Sequence, residues 1–167
     1  MAEPDALEWH PFGAYVPEDV RVLILGSFPG RHSTFPPLKD PAPADWFYMA
    51  PRNQFWGLME EAFQRELPSK AQKASFLRHQ RIGMADVLAA CRRRKGSNQD
   101  SNLYDLRPNA MLPDLLQIES LQKVCFTSRQ VERWFGQFFG EAAKRQELDC
   151  IYLPSPSPAY FRMRPKE

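Results

Sequence analysis

Four short apolar runs punctuate this chain, with amphipathic stretches between them. Residues 21–26 are continuously apolar after Arg21, the pattern of a strand buried on both faces. Residues 82–88 predict a second strand or extended segment, residues 123–127 a third and residues 150–153 a fourth. Between the first two runs, Phe55, Trp56, Leu58, Met59, Ala62 and Phe63 recur at helical spacing within residues 53–65. Pro68 interrupts that stripe, and Ser69 is placed to cap a helix running to His79. Pro113 suits the first turn of a short helix ending at Ile118, and Ser128 can cap a helix over 130–139. Residues 92–102 are polar and end in Gly-Ser-Asn-Gln-Asp-Ser-Asn, a loop by composition. Strands alternating with helices predict an α/β fold with a parallel sheet and helices on both faces. No repeat or boundary interrupts the 167 residues, so a single domain is expected, with residues 1–20 packing on it as an N-terminal extension.

Composition narrows the class. Hydrophobic residues at 43% and charged residues at 25% fit a soluble globular protein, and no apolar run reaches the roughly 18 residues of a membrane span. The start is acidic (Glu3, Asp5, Glu8), unlike a secretory signal, so the cytoplasm is the expected compartment. Cys91, Cys125 and Cys150 are odd in number and widely spaced, which argues against disulfides and metal sites; Cys125 and Cys150 read as small buried hydrophobes. His10, His32 and His79 show no ligand spacing, so the chemistry is expected to be metal-free, with no cofactor. The net charge of +2 does not by itself imply nucleic acid. Two basic clusters, Arg92-Arg-Arg-Lys95 and Arg162, Arg164 and Lys166, are either solvated surface or phosphate contacts.

Candidate chemistry gathers in three segments. They are Arg21-Val-Leu-Ile-Leu-Gly-Ser-Phe-Pro-Gly30, Phe47-Tyr-Met-Ala-Pro-Arg-Asn-Gln-Phe-Trp56 and Leu153-Pro-Ser-Pro-Ser-Pro-Ala-Tyr160. The first and third are apolar strands breaking into Pro/Gly/Ser turns, where open α/β sheets place ligand sites. The 16 prolines cluster in 29–51 and 154–165, which implies rigid loops. Taken singly, each motif has a bland reading. Gly26-Ser-Phe-Pro-Gly30 could be an ordinary strand-to-loop turn, Asn53 a helix cap, Phe47 and Tyr48 core, and Ser155 and Ser157 parts of a stiff turn. Together they suggest a stacking pocket for a flat ring, with one polar group aimed at water.

In order and spacing, these motifs resemble the uracil-DNA glycosylase superfamily. The likeness is strongest to hypoxanthine (deoxyinosine)-DNA glycosylase-like and mismatch-specific uracil glycosylase-like proteins. His10-Pro-Phe, Gly83-x-x-Asp86-Val-Leu, Arg94-Lys-Gly-Ser97 and Phe126-Thr127 extend the resemblance from about residue 10 to Met163. It implies a three-layer α/β/α sandwich around a four-stranded parallel sheet. The implied activity is hydrolysis of the N-glycosidic bond of a deaminated base, hypoxanthine or uracil, flipped out of DNA during base-excision repair. The implied partner is double- or single-stranded DNA, bound by a monomer.

The resemblance also distributes roles. The mismatch-specific enzymes carry their catalytic Asn at the third position of the first motif, which is Phe28 here; the hypoxanthine-type Asn maps onto Asn53. Asn53 would orient water, with Asp86 as a possible second water-orienting group or merely a structural acceptor. Gly26, Ser27, Phe28 and Tyr48 would bind the base, with Tyr48 at the stacking position. Ser155, Ser157, Pro158, Ala159, Tyr160 and Arg162 would meet DNA, Pro158 to Tyr160 as the wedge. Ser155 replaces the His or Asn of other branches, and Thr127-Ser128 stands where Thr-Gly or Asn-Gly is usual. The proline-rich 36–43 stretch is an addition, and the closing C-terminal helix is expected to be short or absent. Two rivals follow: a catalytically weak or silent nucleic-acid-binding member of the same fold, and an α/β enzyme acting on free nucleosides or nucleotides.

Overall fold

The computed structural model describes residues 5–34, 45–144 and 146–156. Its centre is a four-stranded parallel sheet of β2 (Val22–Gly26), β3 (Ile82–Asp86), β6 (Lys123–Phe126) and β7 (Asp149–Tyr152), ordered β3-β2-β6-β7. Side chains along these strands alternate between two cores, as strands buried on both faces require. Leu23, Leu25, Val124 and Phe126 pack with α4 (Leu112–Leu115) and α5 (Arg129–Lys144), whose Val131, Trp134, Phe135 and Phe139 are buried. Ile24, Ile82, Met84 and Cys125 pack on the other side with α2 (Phe55–Phe63) and α3 (Lys70–Gln80). The three layers expected from the alternation of strands and helices are therefore present.

Local signals set the helix ends. Ser69 Oγ accepts from Gln72 N at 3.1 Å and Ser128 Oγ from Val131 N at 3.1 Å, both N-caps as expected. Helix α2 ends with its apolar stripe at Phe63, because Gln64 turns left-handed at φ 53° and closes the last turn. A short α1 (Arg31–Thr34) follows the first motif and has no signal in the apolar pattern.

A second sheet departs from the sequence expectation. Residues 82–88 are not one strand: the chain leaves the parallel sheet at Val87 and continues as β4 (Leu88–Arg93). Val87 N donates to Gly26 O at 2.9 Å, and Asn109 N to Val87 O at 2.9 Å, so the backbone is satisfied across the switch. β4 pairs antiparallel with β1 (Leu7–Trp9) on one side and β5 (Leu103–Pro108) on the other. The polar 92–102 segment is thus partly strand, with short helical turns at Arg94–Gly96 and Asp100–Asn102. The described part of the N-terminal segment touches both sheets. It supplies β1, and Tyr15 exchanges backbone hydrogen bonds of 2.8 and 2.7 Å with Met84 at the β3 edge.

Two further expectations are corrected. Cys150 is exposed, because β7 is an edge strand; Cys91 and Cys125 are buried. Arg93, within the first basic cluster, is neither surface nor phosphate contact. It is buried and pairs with buried Glu8 at 2.8 Å, while its guanidinium also bonds Pro29 O and Ser97 O. Glu8 in turn accepts from the Thr34 hydroxyl. The second cluster, Arg162, Arg164 and Lys166, lies outside the described residues. No helix among the described residues is long and apolar enough to cross a membrane.

The Glu8–Arg93 pair ties β1, β4 and the first-motif loop together. Removing one partner strands a buried charge, so Glu8→Ala is expected to destabilise the fold by about 3–5 kcal/mol. Ser69→Ala, which removes only a cap, should cost about 1 kcal/mol. Urea denaturation of the two variants measures the difference; equal losses would contradict it.

Candidate functional site

Strand order places a topological switch between β2 and β6, because the chain leaves β2 toward β3 on one side and β6 continues to β7 on the other. Ligand sites in open parallel sheets lie beyond the carboxyl ends of strands at that point. Here those ends carry Gly26-Ser27 and Thr127-Ser128. The three singled-out segments meet there. Tyr48, from the second, reaches the Gly26 position, and Gln54 N donates to Pro156 O of the third at 3.0 Å. Leu153 N donates to Phe126 O at 2.8 Å, which carries β7 into its proline turn beside β6.

Gly26 is required by close approach. A Cβ there would collide with Asp86 Oδ1 and stand 2.6 Å from Tyr48 Oη. The carboxylate and the phenol thus converge on one backbone position. Tyr48 holds φ at 57°, a region an aromatic residue rarely occupies and one that costs roughly 1–3 kcal/mol. Its ring stacks on Phe55 with centroids 4.4 Å apart, so one face is already covered.

Among the described residues, Tyr48 Oη is the buried side-chain polar atom left without a hydrogen-bond partner. The Thr127 hydroxyl is beside it but gives its own proton to Leu25 O at 3.0 Å. Burial raises the Tyr48 phenol far above its ordinary range, and the Asp86 and Asp100 charges push it the same way. It therefore stays protonated, with the Thr127 hydroxyl oxygen as its neighbour. Unpaired buried groups of this kind are rare, and with a strained backbone they mark sites rather than scaffolding.

Asp86 ends β3, where the chain changes sheets. Its backbone carbonyl accepts from Asn109 Nδ2 at 2.9 Å, and its Oδ2 is 2.6 Å from His10 Nε2. Both side chains are buried. A second carboxylate, Asp100, accepts from Ser27 Oγ at 2.9 Å. Burial raises its pKa above the usual carboxylate value; the Ser27 hydrogen bond opposes this, Asp86 adds to it and Arg93 opposes it. The 94–102 turn also holds the first-motif loop, through Arg31 N to Asn98 Oδ1 at 2.8 Å.

The remaining candidates fall as follows. Asn53 is half-buried at the start of α2, and its Oδ1 accepts from Phe55 N at 2.9 Å, the geometry of a helix-start turn. Phe28 is buried, its ring edge-on to His10 at 5.9 Å and beneath the Arg93 guanidinium at 5.5 Å. Ser155 is half-buried beside Pro156. Ser157, Pro158, Ala159, Tyr160 and Arg162 lie outside the described residues. Sequence reasoning did not place His10 or Asp100 in the site. His10 is 76 residues from Asp86, and Asp100 sits in a segment that reads as plain polar loop. Only the His10-Pro-Phe segment gave any signal.

No protein-family model and no curated protein matches the chain. Among solved structures it is similar to the solution NMR structure of a Methanosarcina acetivorans protein provisionally named a uracil DNA glycosylase. The TM-score is 0.72 and the identity 29%, over 96% of this chain and 91% of that one.

Two outcomes follow from the geometry. Gly26→Ala should destabilise the protein by about 1–3 kcal/mol, as overpacking does, and displace Tyr48 or Asp86. Calorimetry with tyrosine and carboxylate NMR reads both effects; an unchanged melting temperature would contradict the convergence. Native Asp100 holds its proton to higher pH than the unfolded chain does, so its contribution is full below the unfolded pKa of about 3.9 and is lost as pH rises through the folded value. Asp100→Asn should therefore be more stable than the parent at pH 7 and lose that advantage near pH 3. Stability curves at the two pH values test the sign.

Proposed function

We propose that this chain is a uracil-DNA glycosylase-like hydrolase that removes a deaminated base, uracil or hypoxanthine, from DNA. The observation that carries the reading is the meeting of Gly26, Tyr48 and Asp86 at the carboxyl end of the parallel sheet. The likeness in fold to the Methanosarcina protein supports it.

The chemistry asks four things of such a site. A base in a duplex is out of reach, so it must be extruded, at a cost of a few kcal/mol. Stacking returns roughly 1–3 kcal/mol per base. The Tyr48 ring, backed by Phe55, offers the stacking surface in this reading. The C1′–N bond then breaks with its electron pair leaving on the base, and a water oxygen bonds to C1′. The water's proton must go to an acceptor, and the charge growing on the base must meet donors. Asp86 is the carboxylate nearest the floor at Gly26 and is assigned the proton. Asn53 orients the water through its carboxamide. Backbone N–H groups of Ser27 and Phe28 are assigned to the departing base.

A second reading, a binding member with little or no turnover, is favoured by one observation: Asn53 Oδ1 is already engaged at the start of α2. Labelled duplexes with one uracil or one inosine, incubated with the protein and then treated with alkali, decide between them. Strand cleavage is expected, and Asn53→Ala and Asp86→Asn should each lower turnover about 100-fold or more while DNA binding changes little. Salt-sensitive DNA binding with no cleavage of either duplex would favour the silent member. Base release from free nucleosides without DNA binding would overturn both.

A further inference from the structure

We infer that His10 is a positioning residue of this site, acting through Asp86; its kinetic readout rests on the glycosylase reading above. The Phe12 backbone N–H donates to His10 Nδ1 at 3.1 Å, so Nδ1 carries no proton and the ring proton is on Nε2. That proton is donated to Asp86 Oδ2 at 2.6 Å, with each side chain only 6% exposed. The imidazole is held by three aromatic rings: Phe12 at 5.7 Å, Phe28 at 5.9 Å and Phe47 at 5.6 Å between centroids. Phe28 belongs to the first motif and Phe47 to the second. Both motifs therefore grip one histidine supplied by the N-terminal segment.

The consequence lies at the other oxygen. An aspartate carboxylate turns broadly about its last torsion when nothing holds it. With Oδ2 fixed by His10 and the backbone carbonyl fixed by Asn109, Oδ1 has one direction, toward Gly26 and the unpartnered Tyr48 hydroxyl. A proton acceptor aimed in advance avoids reorienting during the reaction. A buried acid–imidazole pair is weak evidence for stability in itself, since desolvating the charge offsets much of the attraction. Its convergence with the buried Tyr48 hydroxyl on the Gly26 position is what assigns it to the site.

The test uses four variants of the full chain on uracil- and inosine-containing duplexes. His10→Leu removes the donor and should lower kcat about 100-fold, the scale of a misplaced reacting group, with KM nearly unchanged. His10→Gln returns an N–H toward Asp86 and should recover at least part of that loss. Because His10 acts through Asp86, the double variant His10→Leu/Asp86→Asn should be no slower than Asp86→Asn alone. Multiplying losses, an equal deficit in His10→Leu and His10→Gln, or a fall in melting temperature with kcat untouched would overturn the inference. If the parent protein releases neither base, the glycosylase reading fails separately. Nitrogen-15 NMR of the imidazole then decides the positioning claim: a proton on Nε2 donated to Asp86 is expected, and a proton on Nδ1 overturns it.

Discussion

Asp86 is where the architecture and the site become the same problem. The chain must leave a parallel sheet and enter an antiparallel one within a residue, and it does so with a buried carboxylate at the junction. Burying a carboxylate without partners is prohibitive, so the fold has to bring partners to it. His10 comes to the carboxylate from the N-terminal segment, Asn109 to the backbone carbonyl from beyond β5, and Gly26 in the neighbouring strand makes room by having no side chain. Losing His10 would leave that charge unpaired in the interior. The second sheet and the N-terminal segment therefore complete the junction on which the candidate pocket stands.

Strain gathers around this point. Tyr48 carries an unfavourable backbone conformation and an unmet hydroxyl, and Asp100 keeps a carboxylate where burial disfavours its charge. Each costs on the order of 1–3 kcal/mol, a sizeable share of a net stability of about 5–15 kcal/mol. Two apolar cores, one on each face of the sheet, are the reservoir that offsets these costs. A surrounding that over-determines a strained residue is what lets it persist. Phe55 beneath the Tyr48 ring and Trp56, whose Nε1 donates to Phe47 O at 2.9 Å, supply that constraint from the start of α2.

The legibility of this fold in its sequence follows from range. β2 declares itself because burial on both faces leaves no polar residue in it, and Ser69 and Ser128 announce helices by local hydrogen bonding. The second sheet is hidden for the converse reason. β4 and β5 carry Arg92, Arg93, Tyr104, Asp105 and Arg107, whose polar ends are satisfied by each other and by Asp5 and Glu8, so their alternation reads as loop. Cys150 misleads because an apolar run does not reveal whether its strand will be central or at an edge. In the site, the glycine and the tyrosine were readable as motif residues. The His10–Asp86 and Ser27–Asp100 pairs were not, since each joins residues more than seventy positions apart.

The position of Phe28 shows what the long-range contacts add. The phenylalanine at the third place of the first motif leaves that spot without a polar side chain. Viewed from the sequence, that is only a loss. In the folded chain the ring fills the space between the His10 imidazole and the Arg93 guanidinium, touching both the Asp86 pair and the Glu8 pair. An asparagine there would meet two aromatic-packed cations or imidazoles with a short polar amide and leave a void. In the proposed function the group that orients water is instead Asn53, from the second motif. Under the proposed reading, the first motif shapes and supports while the second and Asp86 carry the chemistry. Under the same reading, Phe28 is one apolar wall of the histidine that aims Asp86.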